Sequence, residues 1–199
     1  MIEIEQKFLV DQDQLENLLK TASFIKELSF VDVYYDTPDY ALSKDDIWLR
    51  QRDSTWELKV PLDGRKKDYL TDQYEEIIVD EQIRQFLQID SKQDLAQALL
   101  LYNYRPFCEL KTVRRKYQQG EFNIDVDVVS GENFNYALIE VELLVDSFAD
   151  AEIAKTKILI WAKEHNLEVK SVFGKVILYL QQQRPQHFQA LVDSGTIKI

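Results

Sequence analysis

Ile2-Glu3-Ile4-Glu5-Gln6-Lys7-Phe8 opens the chain with near-strict alternation of apolar and charged residues. In a β-strand, residues i and i+2 lie on one face, so Glu3, Glu5 and Lys7 share one side and Ile2, Ile4 and Phe8 the other. The same division recurs along the chain. Trp48, Arg50 and Arg52 lie against Ile47 and Leu49; Glu57 and Lys59 oppose Trp56, Leu58 and Val60. Asn123, Asp125 and Asp127 oppose Phe122, Ile124, Val126 and Val128, and Glu140 and Glu142 oppose Ile139, Val141 and Leu143.

Working outward, period-two patterns rich in β-branched and aromatic residues predict strands over 2–9, 30–36, 46–52, 55–61, 69–79, 106–118, 121–129 and 136–145. Gly64 sits in a turn-like PLDGRKKD, and Gly120 separates two strands as a hairpin signal. Helices are fewer. Asp11 or Asp13 caps a short one carrying Leu15, Leu18 and Leu19; residues 81–101 form one broken helix or two short ones. Residues 150–165 are amphipathic, and a last helical segment runs from about 174, with Pro185 starting or kinking its second half. Eight strands with short connections predict a mainly β (α+β) chain, an eight-stranded antiparallel barrel with helices packed outside, in one domain over 1–199.

The charged faces admit two readings. An antiparallel sheet covered on one side leaves a solvated polar face on the other. Yet Glu-x-Glu, Arg-x-Arg, Asp-x-Asp and Glu-x-Glu place like charges side by side, where they repel. A divalent ion between carboxylates and an oxyanion between arginines turn that repulsion into binding, which describes a polar, ligand-filled barrel.

Bulk composition narrows the function classes. Hydrophobic residues make up 45%, enough for a core, and the single cysteine, Cys108, permits no intrachain disulfide. The N-terminus lacks a basic segment before an apolar run, and VILYL and ILIWA are too short to span a bilayer, so no membrane role and a cytoplasmic protein are expected. The net charge of −11 argues against nucleic-acid binding. His165 and His187 fall in helical segments and read as structural or surface residues.

EIEQK fits the Glu-x-Glu-x-Lys signature of the CYTH superfamily, the triphosphate tunnel metalloenzymes. YYDTP (34–38), WLRQR (48–52), WELK (56–59), TVRR (112–115), DVD (125–127), EVE (140–142) and FGKVILYL (173–180) follow in family order. The chain resembles that superfamily over nearly its whole length. Within it the likeness is greatest to the thiamine triphosphatases, through YYDTP, the Trp two residues before the first arginine, WELK followed by Val-Pro, and YLQQQRPQHF.

The resemblance implies an eight-stranded tunnel that binds a triphosphate with inward Lys and Arg and Mg²⁺ or Mn²⁺ with inward Glu and Asp. It makes Glu3, Glu5, Asp125, Asp127, Glu140 and Glu142 metal or water-positioning carboxylates, with either Asp able to fill the family position. Lys7, Arg50, Arg52, Lys59, Arg114 and Lys175 become phosphate contacts. Lys111, Arg114 and Arg115 cannot all face inward without a bulge, so Arg114 follows from the alignment. Trp48, sharing a face with the arginines, is expected near the tunnel mouth against the thiazolium of the substrate. Glu3, Glu5, Lys59, Glu140 and Glu142 are the expected catalytic residues. Six cations against six carboxylates leave the site near neutral, so two divalent ions would offset a triphosphate. The expected reaction is metal-dependent hydrolysis of thiamine triphosphate, by a monomer or weak oligomer. The rivals are an inorganic tripolyphosphatase, a class IV adenylyl cyclase and a non-catalytic triphosphate-binding protein.

Overall fold

The structure is a computed structural model that describes residues 2–61 and 72–198. Eight strands run β1 Ile2–Phe8, β2 Ser23–Asp36, β3 Trp48–Arg52, β4 Thr55–Pro61, β5 Asp72–Ile77, β6 Arg105–Gln119, β7 Phe122–Gly131 and β8 Phe134–Val145. They close into a barrel in the order β1-β5-β4-β3-β2-β6-β7-β8, with every pair antiparallel. Six helices accompany them: α1 Gln12–Leu19, α2 Asp80–Leu87, α3 Leu95–Leu101, α4 Ala151–Glu164, α5 Lys175–Gln183 and α6 Pro185–Asp193.

Local chemistry sets the element ends. Asp11 caps α1: its carboxylate accepts from the Gln14 amide at 2.8 Å, while the Gln14 side chain accepts from the Asp11 amide at 3.1 Å. Residues 81–101 divide into two helices because Gln88 turns left-handed, with φ 55°, and Asp94 starts a new cap. Pro185 occupies the first turn of α6, where its missing N–H costs nothing. Gly120 takes φ +60° in the tight β6–β7 turn. Gly64 and residues 69–71 of the expected fifth strand lie outside the described residues. β2 begins seven residues earlier than alternation predicts. Residues 23–29 pair with β6 but are exposed throughout, so no buried face imposes a period.

Apolar residues lie in three groups. Ile4, Phe8, Ile124, Ile139 and Val141, on the outer faces of β1, β7 and β8, pack under α4 through Ile158 and Trp161. Leu49, Trp56 and Leu58, outside β3 and β4, pack under α2 and α3 through Ile83, Leu95 and Leu99. The third group differs from the expectation of helices packed only outside. Tyr34, Trp48, Leu110, Val129 and Leu138 share the strand faces that carry charge further along, and α5 and α6 cover them with Val176, Tyr179, Leu180, Phe188 and Leu191. One end of the interior is therefore apolar and stoppered, and the charged stretch lies beyond it. No helix among the described residues is long and apolar enough to cross a membrane.

Candidate active site

The inward face of β1 carries Glu3, Glu5 and Lys7, and antiparallel register sets Glu5 beside Glu142 and Lys7 beside Glu140 on β8. One carboxylate oxygen each from Glu3, Glu5 and Glu142 lie within 4.8 Å of one another. Oxygen-only ligands at that separation suit a hard divalent cation. Among the described residues, the buried Oδ1 of Asp125 has no hydrogen-bond partner, which leaves a further acceptor open on this wall. All six carboxylates also have protein cations beside them. Arg114 reaches Asp125, Asp127 and Glu140, each at 2.6 Å, and Lys116 donates to Asp125 at 2.6 Å and lies 3.5 Å from Glu142. Asp125 and Asp127 both point inward and are fully buried.

The cations gather opposite. Asp32, wholly buried on β2, accepts from Arg52 Nε at 2.8 Å and from Lys175 Nζ at 2.5 Å, with Arg50 3.8 Å away. Arg50 pairs with Glu57 at 2.5 Å, and Lys59 bridges Glu3 at 2.9 Å and Glu76 at 3.1 Å. Lys7 donates to Glu5 at 2.5 Å. Phe30 stands among the cations, its ring centroid 4.0 Å from the Arg52 guanidinium, 5.1 Å from Lys175 and 5.7 Å from Arg114. A closed barrel thus holds a carboxylate trio beside a cluster of lysines and arginines, and the CYTH domain matches this chain over residues 1–175.

The chain belongs to the CYTH family.

It is 31% identical over 214 residues to the thiamine-triphosphatase of Macaca fascicularis, covering 100% of this chain and 92% of that protein. It is likewise 31% identical over 211 residues to the thiamine-triphosphatase of Homo sapiens, covering 97% and 90%. The PH1819 protein of Pyrococcus horikoshii OT3 shares the fold, with a TM-score of 0.63 and 20% identity over 91% of this chain and 99% of that one.

Electrostatics in this CYTH tunnel follow from burial. Burial, then Glu3 and Asp125, push the Glu142 carboxyl up to about 7. Burial alone would depress Lys59, but Glu3 and Glu5 outweigh it and hold its ammonium above the usual lysine range. Burial would raise Asp32, but Arg50, Lys175 and Arg52 hold it well below the usual carboxylate range. Lys175, at the start of α5, is pulled down to about 8 by burial, against the attraction of Asp32 and with help from Arg50. An anion beside Lys175 would favour its ammonium form, and a cation beside Glu142 would favour its carboxylate.

Of the expected site residues, all but Trp48 reach the charged stretch of the CYTH tunnel. Trp48 shares their face but lies one step further along, in the stoppered end. Its ring is 6% exposed, meets Tyr34 edge-on, and its indole N–H donates to Asp46 at 3.1 Å. His187 is buried rather than at the surface, hydrogen-bonded to Ser43 at 2.7 Å and stacked on Tyr40. The expected charge balance omitted Asp32, Glu57, Glu76 and Lys116. With them, seven cations face nine carboxylates among the described residues, a deficit of two positive charges. Lys116 was within reach of the sequence as the i+2 neighbour of Arg114; Asp32 was not, because it stands alone between Phe30 and Tyr34.

Proposed function

We propose that this chain hydrolyses the terminal phosphoanhydride bond of thiamine triphosphate with a divalent cation, Mg²⁺ or Mn²⁺. The observation that carries the reading is the trio Glu3, Glu5 and Glu142 within 4.8 Å, facing a lysine and arginine cluster inside one closed barrel. The full-length likeness to proteins named thiamine-triphosphatase supports the substrate. Glu3, Glu5 and Glu142 would hold the ion, with Asp125 Oδ1 turned to the same wall. A divalent ion there, when bound, offsets charge on phosphate oxygens and lowers the pKa of a bound water.

The chain's own groups do the rest. Arg50, Arg52, Lys59 and Lys175 exchange their internal carboxylates for phosphate oxygens and stabilise charge that builds on the leaving diphosphate. Lys7, held at Glu5, adds a further cation beside the ion's ligands. Glu140 accepts a proton or hydrogen bond from the attacking water; Arg114 fixes it in place and pairs with Asp127. Trp48, packed behind Arg50, supports the phosphate face through Tyr34. The reading places the reaction in the cytoplasm of a cell and requires no nucleic acid or membrane.

Side-by-side turnover of thiamine triphosphate, tripolyphosphate and ATP with Mg²⁺ and with Mn²⁺ tests it. Fastest turnover of thiamine triphosphate is expected. Preference for tripolyphosphate would make the chain an inorganic tripolyphosphatase, cyclic AMP from ATP would make it a cyclase, and no turnover of any would overturn the enzymatic reading.

A further inference from the structure

The six carboxylates on β1, β7 and β8 do not stand equal. Arg114 spans Asp125, Asp127 and Glu140, and Lys116 links Asp125 to Glu142. Both cations converge on one oxygen of Asp125, its Oδ2, at 2.6 Å each, while Oδ1 of the same carboxylate is buried and unpartnered among the described residues. Glu3, Glu5 and Glu142 lie beyond Lys116 and form a separate trio. Asp125, Asp127 and Glu140 continue this wall past the trio, and the stretch between Asp125 and Glu142 already holds an ammonium group. We propose that Lys116 is a built-in counter-ion that fills the place of a second divalent cation beside Asp125, so that this tunnel takes a single ion, at Glu3, Glu5 and Glu142.

The inference rests on the metal reading of the trio and narrows it to a number. Charge agrees with it. Among the described residues and without substrate, seven cations against nine carboxylates leave two negative charges, which one divalent ion offsets. Geometry agrees as well. A lysine ammonium carries its charge on a flexible four-carbon stem, and Lys116 is the most exposed of the lysines in ion pairs on this wall, its side chain 25% exposed. It reaches in from the unstoppered side, where it can hold two carboxylates without a rigid fork. Arg114 cannot substitute for it, because its guanidinium is already shared among three acids.

Binding of Mn²⁺ alone to the metal-stripped, substrate-free protein tests the proposal, followed by calorimetry and by the paramagnetic resonance signal of the free ion. Wild type is expected to bind about one Mn²⁺ per chain, Lys116→Gln about two, and Lys116→Arg, which restores a cation, about one. Thermal melting of each variant checks that all three are folded. Two ions on wild type, or one on both wild type and Lys116→Gln, would overturn the single-ion inference and leave the metal site standing. A second metal site in Lys116→Gln should vanish again when Asp125→Asn is added; persistence would place the second ion elsewhere and also overturn the role given to Lys116. No Mn²⁺ on any folded variant would instead overturn the metal reading itself.

Discussion

Asp32 shows how much of the site depends on single side chains. It sits at 0% exposure and anchors Arg52, Lys175 and, at longer range, Arg50. These cations are aimed by an acid that a triphosphate must displace or share. Arg52→Ala should weaken triphosphate binding by about 2–5 kcal/mol, the range for one partner lost from a buried charge contact. Calorimetry with tripolyphosphate measures it, and unchanged affinity would put Arg52 outside the binding path. Glu142 gives a pH prediction. Its folded pKa, about 7, stands above its ordinary value, so its contribution to stability is complete in acid and is lost as pH rises through about 7. In EDTA, the melting temperature of wild type minus that of Glu142→Gln should therefore fall between pH 5 and about 7.5, and Mg²⁺ should reverse the fall; the difference cancels opposing contributions such as His187, whose pKa is lowered to about 4 by burial. A pH-independent difference would remove Glu142 from the group of crowded carboxylates. Trp48→Ala, with its ring on Tyr34, should lower thiamine triphosphate and tripolyphosphate turnover alike; loss on thiamine triphosphate alone would restore a direct contact with the organic group. The residues legible in the sequence are those with a like charge two positions away: Glu3 with Glu5, Arg50 with Arg52, Asp125 with Asp127, Glu140 with Glu142. A lone acid among aromatics, as in Phe30-Val31-Asp32-Val33-Tyr34, gives no such signal, because its partners come from β3 and α5.

Strands were legible wherever one face is buried, and β4 keeps its expected bounds, Thr55–Pro61. The outer half of β2 was not, since solvent on both sides removes any reason for residues 23–29 to alternate. The stopper was not legible either. Inward Tyr34, Trp48 and Leu110 look in sequence like any strand aromatics and aliphatics, and only the return of α5 and α6 shows that they close a tunnel. That return delivers Lys175 to Asp32 and brings Gly174 against Lys7. A Cβ at Gly174 would come within 3.2 Å of Lys7 Cε, while its backbone, at φ −62° and ψ 161°, accepts alanine without strain. Gly174→Ala should therefore push the Lys7 ammonium aside by a few tenths of an ångström and raise KM for triphosphate by about 3–10-fold. The melting temperature should drop little, because exchanging Gly for Ala at a helix N-cap costs about 1 kcal/mol or less. Unaltered kinetics would show that Lys7 has room to spare.

For the whole molecule, a net charge of −11 coexists with an anionic ligand because Arg50, Arg52, Lys59 and Lys175 gather on one side of the barrel interior. Among the described residues the interior holds two more carboxylates than cations, so metal should act on the fold as well as on turnover. EDTA should abolish activity, and Mg²⁺ or Mn²⁺ should restore it and raise the melting temperature in proportion to the logarithm of free ion concentration. Activity in metal-free buffer would remove the ion from the reaction. Closure of the barrel also has a consequence for how the chain is made. β1 pairs with β5 on one side and β8 on the other, and the register sets Glu5 beside Glu142. β1 is made well before β8: at about 5–20 residues per second, some 7–30 s separate the synthesis of these two glutamates. Through that interval β1, with Ile2, Ile4 and Phe8 on its outer face, has no neighbour on its β8 edge. Contacts between sequence-distant strands slow folding, so the β1–β8 seam should close late and leave that edge open to other strands until it does.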